Sequence, residues 1–376
     1  MNILHITLGR VNPNSANGVN KVIEGLAKYT NIQSDNIALV YTIRKKQVER
    51  IKKYERDGFN VITFRSIWIL IREILRNQSI FDAIHLHNVW SFHNDIIALI
   101  LFLLHKPYII TIHAGLAPDR VKGSNYYAKR IYHALIQRWT LDRALFLHAL
   151  SDEEVLQIEK YSLNRDLFRL PNGVILPTIS HYSISKTNRY NDQHICIGYI
   201  GRFAKEKNVE SLIRAIGILN KSIGYTIKLR LAGPLDRDAI ELAELANNDL
   251  NIQGIEFIGP LYGAEKENFF LSIDCIVHPA ISEGASISVL EAAAYGTPMV
   301  LSRSSAAAYF SDQDFFISIN PDPTGIANGI KEIISKRDRW TLMGRASRSY
   351  VQKNLTWETI VTQLLKKMSE ALAKQG

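Results

Sequence analysis

Two glutamates, Glu283 and Glu291, are separated by seven residues in the segment EGASISVLE. Gly296 and Pro298 follow at the spacing with which a glycine and a later proline end a helix. A short helix is therefore expected to begin near residues 286–288. Free backbone N–H groups at a helix start can bind a phosphate. The segment predicts an anion site with a carboxylate on either side.

The same residues also allow a purely structural interpretation. Ser288 and Glu291 have the spacing of a capping box, in which the glutamate only accepts a hydrogen bond from the serine N–H. The spacing alone does not decide between ligand binding and helix capping.

A glycine and two cations follow the predicted strand Ile195–Ile200. Gly201 lets the backbone turn, and Arg202 and Lys207 come next. At the carboxyl end of a strand, the planar arginine fork and the lysine point charge can neutralise a diphosphate. The chain has neither a complete GxGxxG fingerprint nor a GxxxxGK[ST] phosphate loop, which argues against an NAD-dependent enzyme and against an NTPase.

Several histidines lie at predicted strand ends in the first half of the chain. His87 and His113 could ligate a metal, but no carboxylate lies at the short spacing that zinc sites use, so we expect no metal. Gly18 ends a loop before a helix and permits close approach of a ligand. Asp236 and Asp238 form a DxD pair in a polar loop, and we give them no role.

Apolar, β-branched segments of strand length alternate with helix-length segments along the chain. The predicted strands are Ile3–Leu8, Ile37–Ile43, Val61–Phe64, Ala83–Leu86, Tyr108–Ile112, Leu145–Leu150, Ile195–Ile200, Thr226–Ala232, Ile255–Ile258, Ile273–Val277, Met299–Leu301 and Phe316–Ile319. Near-continuous apolar strands imply parallel sheets covered by helices. The predicted fold is α/β, with two doubly wound Rossmann-like domains facing each other across a cleft that holds the active site.

The predicted domain boundaries follow from this alternation. The first domain spans residues 1–178, a polar linker spans 179–194, and the second domain spans 195–356. An amphipathic helix over residues 357–374 must pack on something, and we expect it to cross back and complete the first domain.

The composition limits the class of protein. Of 376 residues, 47% are apolar and 22% charged, without low-complexity tracts, which excludes a disordered or fibrous chain. The longest uncharged apolar run, Ile96–Leu104, is about half of the roughly 18 to 20 residues that span a bilayer. The start of the chain does not resemble an export signal, so a cytoplasmic location is expected. Cys196 and Cys275 are each expected to be reduced and buried.

The net charge of +9 is uneven. Up to Ile175 there are 23 basic against 15 acidic residues, and the remainder is nearly balanced. The cations concentrate in residues 44–56 and 120–130, which suggests an anionic partner, either nucleic acid or anionic lipid, unless these runs are simply solvated.

Taken together, several motifs resemble the retaining GT-B glycosyltransferases of family GT4, over nearly the whole chain. They are Gly201-Arg202 with Lys207, the Glu283–Glu291 pair, His113 at a strand end, Pro171–Val174 and Thr356-Trp357-Glu358. The spacing of the two glutamates is the specific part. Overall the sequence looks most like members that build bacterial surface polysaccharides.

The resemblance implies a role for each matching residue. Arg202 and Lys207 would hold the diphosphate of a nucleoside diphosphate-sugar, and Glu291 the ribose hydroxyls. His113 would contact the donor sugar and the reaction centre from the opposite lobe. The remaining implied contacts are Gly18 and Gly233 near the donor; Glu283, Gly284, Ala285, Ser286, Ile287 and Ser288 at the donor sugar; and Asn88, Arg120 and Lys122 at the acceptor.

The sequence departs from the family pattern at three places. Ala285-Ser286 replaces the usual aromatic-glycine pair, Asn17-Gly18 replaces paired glycines, and Asn208 replaces the glycine after the lysine. Fixed cations imply that no metal cofactor is needed. The implied partners are the nucleoside diphosphate-sugar donor and a glycan acceptor, which is expected to be lipid-linked. No nucleic acid partner is implied.

Two other functions remain open from sequence. A nucleotide-sugar epimerase shares the GT-B fold. A basic nucleic-acid-binding protein would explain the charge and the aromatic residues near Lys129, but it gives no reason for the glutamate pair, because carboxylates repel phosphate.

A membrane surface is the last expected partner. Trp68 lies in the apolar segment 67–71, close in sequence to the basic residues 44–56. Cations near anionic lipid and an interfacial tryptophan together give reversible peripheral binding, here at the inner leaflet. The alternative is that Trp68 belongs to a buried helix face.

Overall fold

The computed structural model describes residues 1–7, 18–33, 37–43, 49–56, 58–122, 125–178, 194–221, 226–249, 252–306, 308–310 and 313–374. They divide into two compact units. The first comprises the chain up to Gly173 together with the segment from Trp357 onward, and the second comprises Val174–Thr356. The division therefore falls shortly before the predicted boundary at residue 178, and the predicted linker lies almost entirely outside the described residues.

The first unit contains an eight-stranded sheet in the order β3-β4-β2-β1-β5-β6-β7-β8. Its strands are β1 Asn2–Thr7, β2 Ile37–Ile43, β3 Ile51–Arg56, β4 Phe59–Phe64, β5 Ala83–His87, β6 Tyr108–Thr111, β7 Leu147–Ala149 and β8 Leu167–Arg169. All neighbouring pairs are parallel except β3 with β4. The central strands are buried and mostly apolar, and His5, His85 and His87 are buried polar residues among them.

The helices of this unit are α1 Gly18–Ile32, α2 Ile67–Asn77, α3 Phe92–Leu103, α4 Pro118–Lys122, α5 Tyr126–Tyr132, α6 Arg138–Asp142 and α7 Asp152–Tyr161, with a 3-10 turn at Gln78–Ile80 and a π turn at His133–Gln137. Serine caps begin two of them. The Ser91 hydroxyl accepts the N–H of Asn94 at α3, and the Ser151 hydroxyl accepts that of Glu154 at α7.

The second unit contains a six-stranded parallel sheet in the order β11-β10-β9-β12-β13-β14. Its strands are β9 His194–Ile200, β10 Thr226–Ala232, β11 Ile255–Gly259, β12 Cys275–His278, β13 Met299–Ser302 and β14 Ile317–Ile319. Its helices are α8 Val209–Asn220, α9 Arg237–Glu244, α10 Gly263–Ser272, α11 Ile287–Ala294, α12 Arg303–Ala306, α13 Pro323–Ser335 and α14 Trp340–Asn354, with short turns at Lys205–Lys207, Leu245–Asp249 and Arg337–Arg339.

The C-terminal helix α15, Trp357–Ala373, belongs to the first unit, where it packs against α1. The Trp357 ring lies so close to Gly25 that a Cβ there would be 2.2 Å from it, and a Cβ at Gly173 would be 2.7 Å from the same ring. Two glycines therefore make room for one tryptophan, which fastens the end of the chain to its first helix.

The prediction of two parallel-sheet, Rossmann-like α/β domains is confirmed. Two strands were not predicted. Strand β3 contains Lys52 and Lys53, which the sequence presents as part of a basic cluster; as an antiparallel edge strand it tolerates charges on its open side. Strand β8 is too short for a periodic signal.

Three further expectations concern single residues and segments. Cys196 and Cys275 are free thiols, as predicted, although Cys196 is partly exposed rather than buried. Trp68 is 72% exposed, so the alternative that places it on a buried helix face is wrong for Trp68, although its neighbours Leu70 and Ile71 are buried. Within the described residues, none of the helices has the length and apolar character needed to cross a bilayer.

Candidate functional site

Two neighbouring strands of the second unit, β9 and β12, end at the same edge of the sheet. The loops that follow them are joined: the N–H of Ile281 donates to the Glu206 carbonyl at 2.9 Å, and the Asn208 side-chain amide donates to the Pro279 carbonyl at 3.2 Å. This junction brings the loop with the predicted cations against the loop with Glu283. The carboxyl edge of a parallel sheet is where such folds bind ligands.

Lys207 and Glu283 form an ion pair at this junction. Lys207 Nζ lies 2.5 Å from Glu283 Oε2, and the two side chains are 14% and 11% exposed. His278 Nε2 is 3.8 Å from the same carboxylate oxygen. Burial lowers the pKa of His278 to about 4, so at neutral pH the imidazole is uncharged and Lys207 is the charge that balances Glu283.

Helix α11 begins directly after this pair. The N-cap residue is Ser286, whose side chain makes no capping hydrogen bond. Its hydroxyl instead lies 3.2 Å from His278 Nε2 and 3.0 Å from the hydroxyl of Ser288. Gly284 and Ala285 lead into the helix, which starts at Ile287. The first turn therefore lacks a side-chain cap, as suits a helix start that accepts an anion.

Glu291 does not form the capping box that its spacing allows. Ser288 is the second residue of the helix rather than its cap, and the Glu291 carboxylate accepts a short hydrogen bond from Lys266 of α10. Both side chains are largely buried. The two glutamates of the motif are thus each paired with one lysine. The sequence gives no local signal for Lys266, because it lies 25 positions from its partner.

The second predicted cation, Arg202, is more open than Lys207. Its guanidinium is 47% exposed and pairs with Glu206 at 3.1 Å. Asn208 adopts the left-handed conformation, with φ of 59°. This accounts for asparagine in place of the glycine that the family pattern has after the lysine, because asparagine tolerates left-handed backbone better than most residues. The Asn208 side chain also donates hydrogen bonds to the carbonyls of Pro279 and Pro321.

The predicted donor residue Gly233 has a packing reason to be glycine. A Cβ there would lie 2.2 Å from the Gly201 carbonyl oxygen. The Gly233 N–H donates to the Gly259 carbonyl at 3.0 Å. Gly233 therefore keeps three strand ends close together, and its contact with the donor stays a prediction.

The first unit carries His113 on the loop after β6, next to a group of buried histidines. The His113 Nε2 lies 3.1 Å from His87 Nδ1, and the His87 Nε2 lies 3.1 Å from His5 Nδ1. Burial lowers the pKa of His113 and of His5 to about 3, so these rings are uncharged at neutral pH. Of the three histidines in this hydrogen-bonded row, the sequence indicates only His87 and His113 as candidate site residues.

A second hydrogen-bonded chain lies beside the first. His148 Nε2 is 2.7 Å from the Leu170 carbonyl, so this nitrogen carries the proton, and His148 Nδ1 accepts from the Thr111 hydroxyl at 2.8 Å. Thr111 in turn accepts from His85 Nε2 at 2.6 Å. One backbone carbonyl thereby determines the tautomers of two histidines.

His5, His85 and His87 present nitrogen atoms within 4.8 Å of one another, a set that can hold a metal ion. The rings of His85 and His87 are stacked, with centroids 4.1 Å apart and planes inclined by 29°. The nitrogens of these rings already bond to one another, to His113 and to Thr111, which accounts for their arrangement. The cluster is better suited to hydrogen bonding than to coordination.

The other predicted residues of the first unit lie on separate elements. Gly18 is the first residue of α1, and a Cβ there would have no neighbour within 4 Å, so packing does not require glycine. Asn88 follows β5 with φ of 74°, and its N–H donates to the Thr111 carbonyl. Arg120 and Lys122 lie on the exposed helix α4. In the second unit, Asp236 caps α9 through the N–H of Ala239, a structural role.

Comparisons with known proteins agree with this architecture. Residues 16–176 match the family model described as Glycosyltransferase Family 4, and residues 183–350 match the model described as Glycosyl transferases group 1. The capsular polysaccharide biosynthesis glycosyltransferase CapM of Staphylococcus aureus is 23% identical over 278 residues, which cover 70% of each chain.

Two solved structures share the fold. A sucrose-phosphate synthase from Thermosynechococcus elongatus superimposes with a TM-score of 0.76 at 16% identity, covering 99% of both chains. HepE of Anabaena in complex with UDP-glucose gives a TM-score of 0.74 at 15% identity, covering 98% of this chain and 100% of that chain. With both of its domains matched, the chain belongs to the GT-B glycosyltransferases of family 4.

Proposed function

We propose that this chain is a retaining, metal-independent hexosyltransferase that moves a sugar from a nucleoside diphosphate-sugar to a glycan acceptor in surface-polysaccharide synthesis. The observation that carries the proposal is the Lys207–Glu283 pair directly before a helix whose N-cap side chain leaves the first turn uncapped. A cation and free amides suit a diphosphate, and a carboxylate suits sugar hydroxyls.

The proposed reaction follows from charge. The bond between sugar C1 and the diphosphate oxygen breaks, which builds positive charge at C1 and negative charge on the leaving group. Arg202, Lys207 and the amides of α11 stabilise that negative charge. The acceptor hydroxyl attacks C1 from the leaving-group side, its oxygen bonds to C1, and its proton passes to the departing diphosphate oxygen. The configuration at C1 is thereby retained.

The donor contacts are assigned by the same logic. Glu283 and the backbone from Gly284 to Ser288 take the sugar, and Glu291 takes the ribose hydroxyls, with His113 in the role that the family resemblance implies. Support for the donor class comes from HepE, whose structure contains UDP-glucose. Support for the pathway comes from CapM, which is named for capsular polysaccharide biosynthesis.

We further propose that the acceptor is lipid-linked and that the first unit binds anionic membrane at the inner leaflet. Two exposed surfaces support this. On α2, Trp68 is 72% exposed and Arg72 is exposed beside it. On the helical segment 126–142, Tyr127, Ile131 and Leu135 recur every four residues and are all exposed. Cationic helices with an apolar stripe bind anionic membrane surfaces.

The test combines binding and turnover. A panel of nucleoside diphosphate-sugars is scored by thermal shift, since a ligand at about 100 times its Kd adds roughly 2.7 kcal/mol of stability. The radiolabelled hit is then incubated with and without a lipid-linked glycan, and the anomeric configuration of the product is read by NMR. Acceptor-dependent transfer with retention supports the proposal. Interconversion of the donor sugar without acceptor would instead indicate an epimerase, and inversion would refute retention.

A further inference from the structure

The loop that carries His113 has an unusual backbone. His113 and Ala114 are consecutive non-glycine residues with φ of 52° and 57°. Side chains with a Cβ disfavour this left-handed region, so such a pair persists only where its surroundings hold it. The contacts that hold this loop therefore decide where His113 is placed.

One of these contacts comes from a buried carboxylate on α7. Glu154 is 2% exposed, and its Oε1 accepts the N–H of Ala114 at 2.5 Å. Its Oε2 accepts the N–H of Leu150, directly after β7, at 2.7 Å. One side chain thus ties the loop after β6 to the end of the neighbouring strand. Each of the two carboxyl oxygens therefore accepts one backbone N–H.

Two further contacts hold the same loop from its other sides. The indole N–H of Trp90 donates to the Gly115 carbonyl at 2.6 Å, and His87 Nδ1 lies 3.1 Å from His113 Nε2. Unlike Trp90 and His87, Glu154 bonds the backbone of one of the two residues with positive φ, Ala114.

We infer that Glu154 is a positioning residue for His113: its carboxylate holds the Ala114 N–H and thereby keeps His113 in the orientation that the transfer reaction uses. This inference rests on the proposed function, which gives His113 its place at the reaction centre. Glu154 acts only through His113, so its main effect is on the rate of transfer rather than on donor affinity.

The test is Glu154→Gln, with Glu159→Gln as the matched control. Glutamine keeps the size of the side chain but offers an NH₂ donor toward one of the two N–H groups, while Glu159 is exposed on the same helix. We expect kcat to fall about tenfold or more in Glu154→Gln, because small displacements of reacting groups are costly. The donor Kd, which the proposed function assigns mainly to residues of the second unit, should change much less than kcat, by about twofold or less. Glu159→Gln should match the unchanged protein.

A spectroscopic readout separates positioning from general stability. In protein labelled with ¹⁵N-histidine, the ring resonances of His113, assigned with His113→Gln, should shift in Glu154→Gln and stay fixed in Glu159→Gln. A lower Tm with unchanged kcat and unchanged His113 resonances would overturn the inference and leave Glu154 as a stabilising residue only.

Two outcomes need a second measurement. If Glu154→Gln does not fold, Glu154→Asp keeps the charge but shortens the side chain by one methylene, so it cannot reach both the Ala114 and the Leu150 N–H groups as Glu154 does. Unchanged kcat and unchanged His113 resonances in that variant would overturn the inference. If the unchanged protein transfers no sugar from any donor, the proposed function fails, and the His113 resonances in Glu154→Gln still decide whether Glu154 positions the loop.

Discussion

Lys207 Nζ and Glu283 Oε2 are 2.5 Å apart, although the two residues are 76 positions apart in the chain. The pair has a consequence for the unliganded protein. In the proposed function Lys207 neutralises the donor diphosphate, and the carboxylate of Glu283 then holds this largely buried cation in place before the donor binds. Preorganised charges of this kind are the ones that lower a barrier most.

Removing either cation of this loop should therefore slow transfer. We expect Arg202→Ala and Lys207→Ala each to lower kcat/KM by about 100-fold, the scale for losing one transition-state charge stabiliser. Steady-state kinetics with the identified donor measures this, and Lys221→Ala, in the same unit after α8, is the control. Full activity in either variant would remove that residue from the diphosphate site.

Glu291 and Lys266 should behave as a coupled pair. We expect Glu291→Gln to stay folded, because glutamine still accepts a hydrogen bond, but to bind donor more weakly through loss of the charge-assisted bonds to ribose. Lys266→Gln should have a smaller effect, since it removes only the partner of Glu291.

The double variant decides how the pair acts. If Lys266 orients Glu291, the two changes together should cost less than their sum, because each removes the same arrangement. Donor Kd by calorimetry for both single variants and the double variant gives the coupling. Unchanged donor affinity in Glu291→Gln would contradict a contact between Glu291 and the ribose, and the pairing with Lys266 would then be purely structural.

Chelation should leave transfer intact. In the proposed mechanism, cations and helix amides stabilise the charge of the leaving group, so activity in excess EDTA should match that of the untreated enzyme to about twofold. Complete inhibition that Mg²⁺ reverses would contradict this and direct attention to other acidic residues, beginning with Asp238, since Asp236 is engaged at a helix cap.

Acid should destabilise the first unit through its buried histidines. Burial lowers the pKa of His5 to about 3 and that of His148 to about 4, against an unfolded value near 6.5. Between about pH 6.5 and 4 the unfolded chain therefore binds more protons, so stability is lost as the pH falls through this window, by at most about 1.4 kcal/mol per pH unit for each histidine.

Glu154 acts in the opposite sense. Burial raises its pKa to about 7, so its contribution to stability decreases as the pH rises from about 4.5 to 7. One glutamate opposes several histidines, and the net effect should be acid sensitivity. Urea unfolding at pH 7, 6 and 5 measures it. His5→Leu should give a shallower dependence on pH, and a flat profile in the unchanged protein would contradict the expectation.

Binding to vesicles should need anionic lipid and fall with added salt. Changing Lys45, Lys46, Lys52 and Lys53 to Glu should weaken it, and so should Trp68→Ser or the pair Ile131→Ser and Leu135→Ser. Of the four lysines, Lys45 and Lys46 lie outside the described residues.

Sedimentation with vesicles of neutral and anionic composition provides the measurement. Leu342→Ser is the control, because Leu342 is 62% exposed but belongs to the second unit. Equal binding to both kinds of vesicle, or binding to neither, would reject the membrane proposal. Loss of binding in only one of the two apolar variants would show which helix meets the lipid.

The sequence by itself determined the parts of this protein that depend on local pattern. Apolar runs of strand length alternate with segments of helical periodicity, and this predicts two parallel α/β domains. The reason is that a strand covered by helices on both faces of its sheet is apolar at nearly every position. Helix α11 was predicted from Gly296 and Pro298, which end it through backbone geometry alone. The sequence indicates Arg202, Lys207 and Glu283 as candidates because they are charged residues in loops that follow predicted strands.

Tertiary structure decided which of these residues meet. Strands β9 and β12 are distant in the chain but adjacent in the sheet, so only the fold pairs Lys207 with Glu283. The same holds for Lys266 with Glu291, and for Glu154 with the loop of His113. Hydrogen bonds between residues 25 to 76 positions apart leave no periodic trace in a sequence, because their partners are chosen by strand order and burial rather than by spacing.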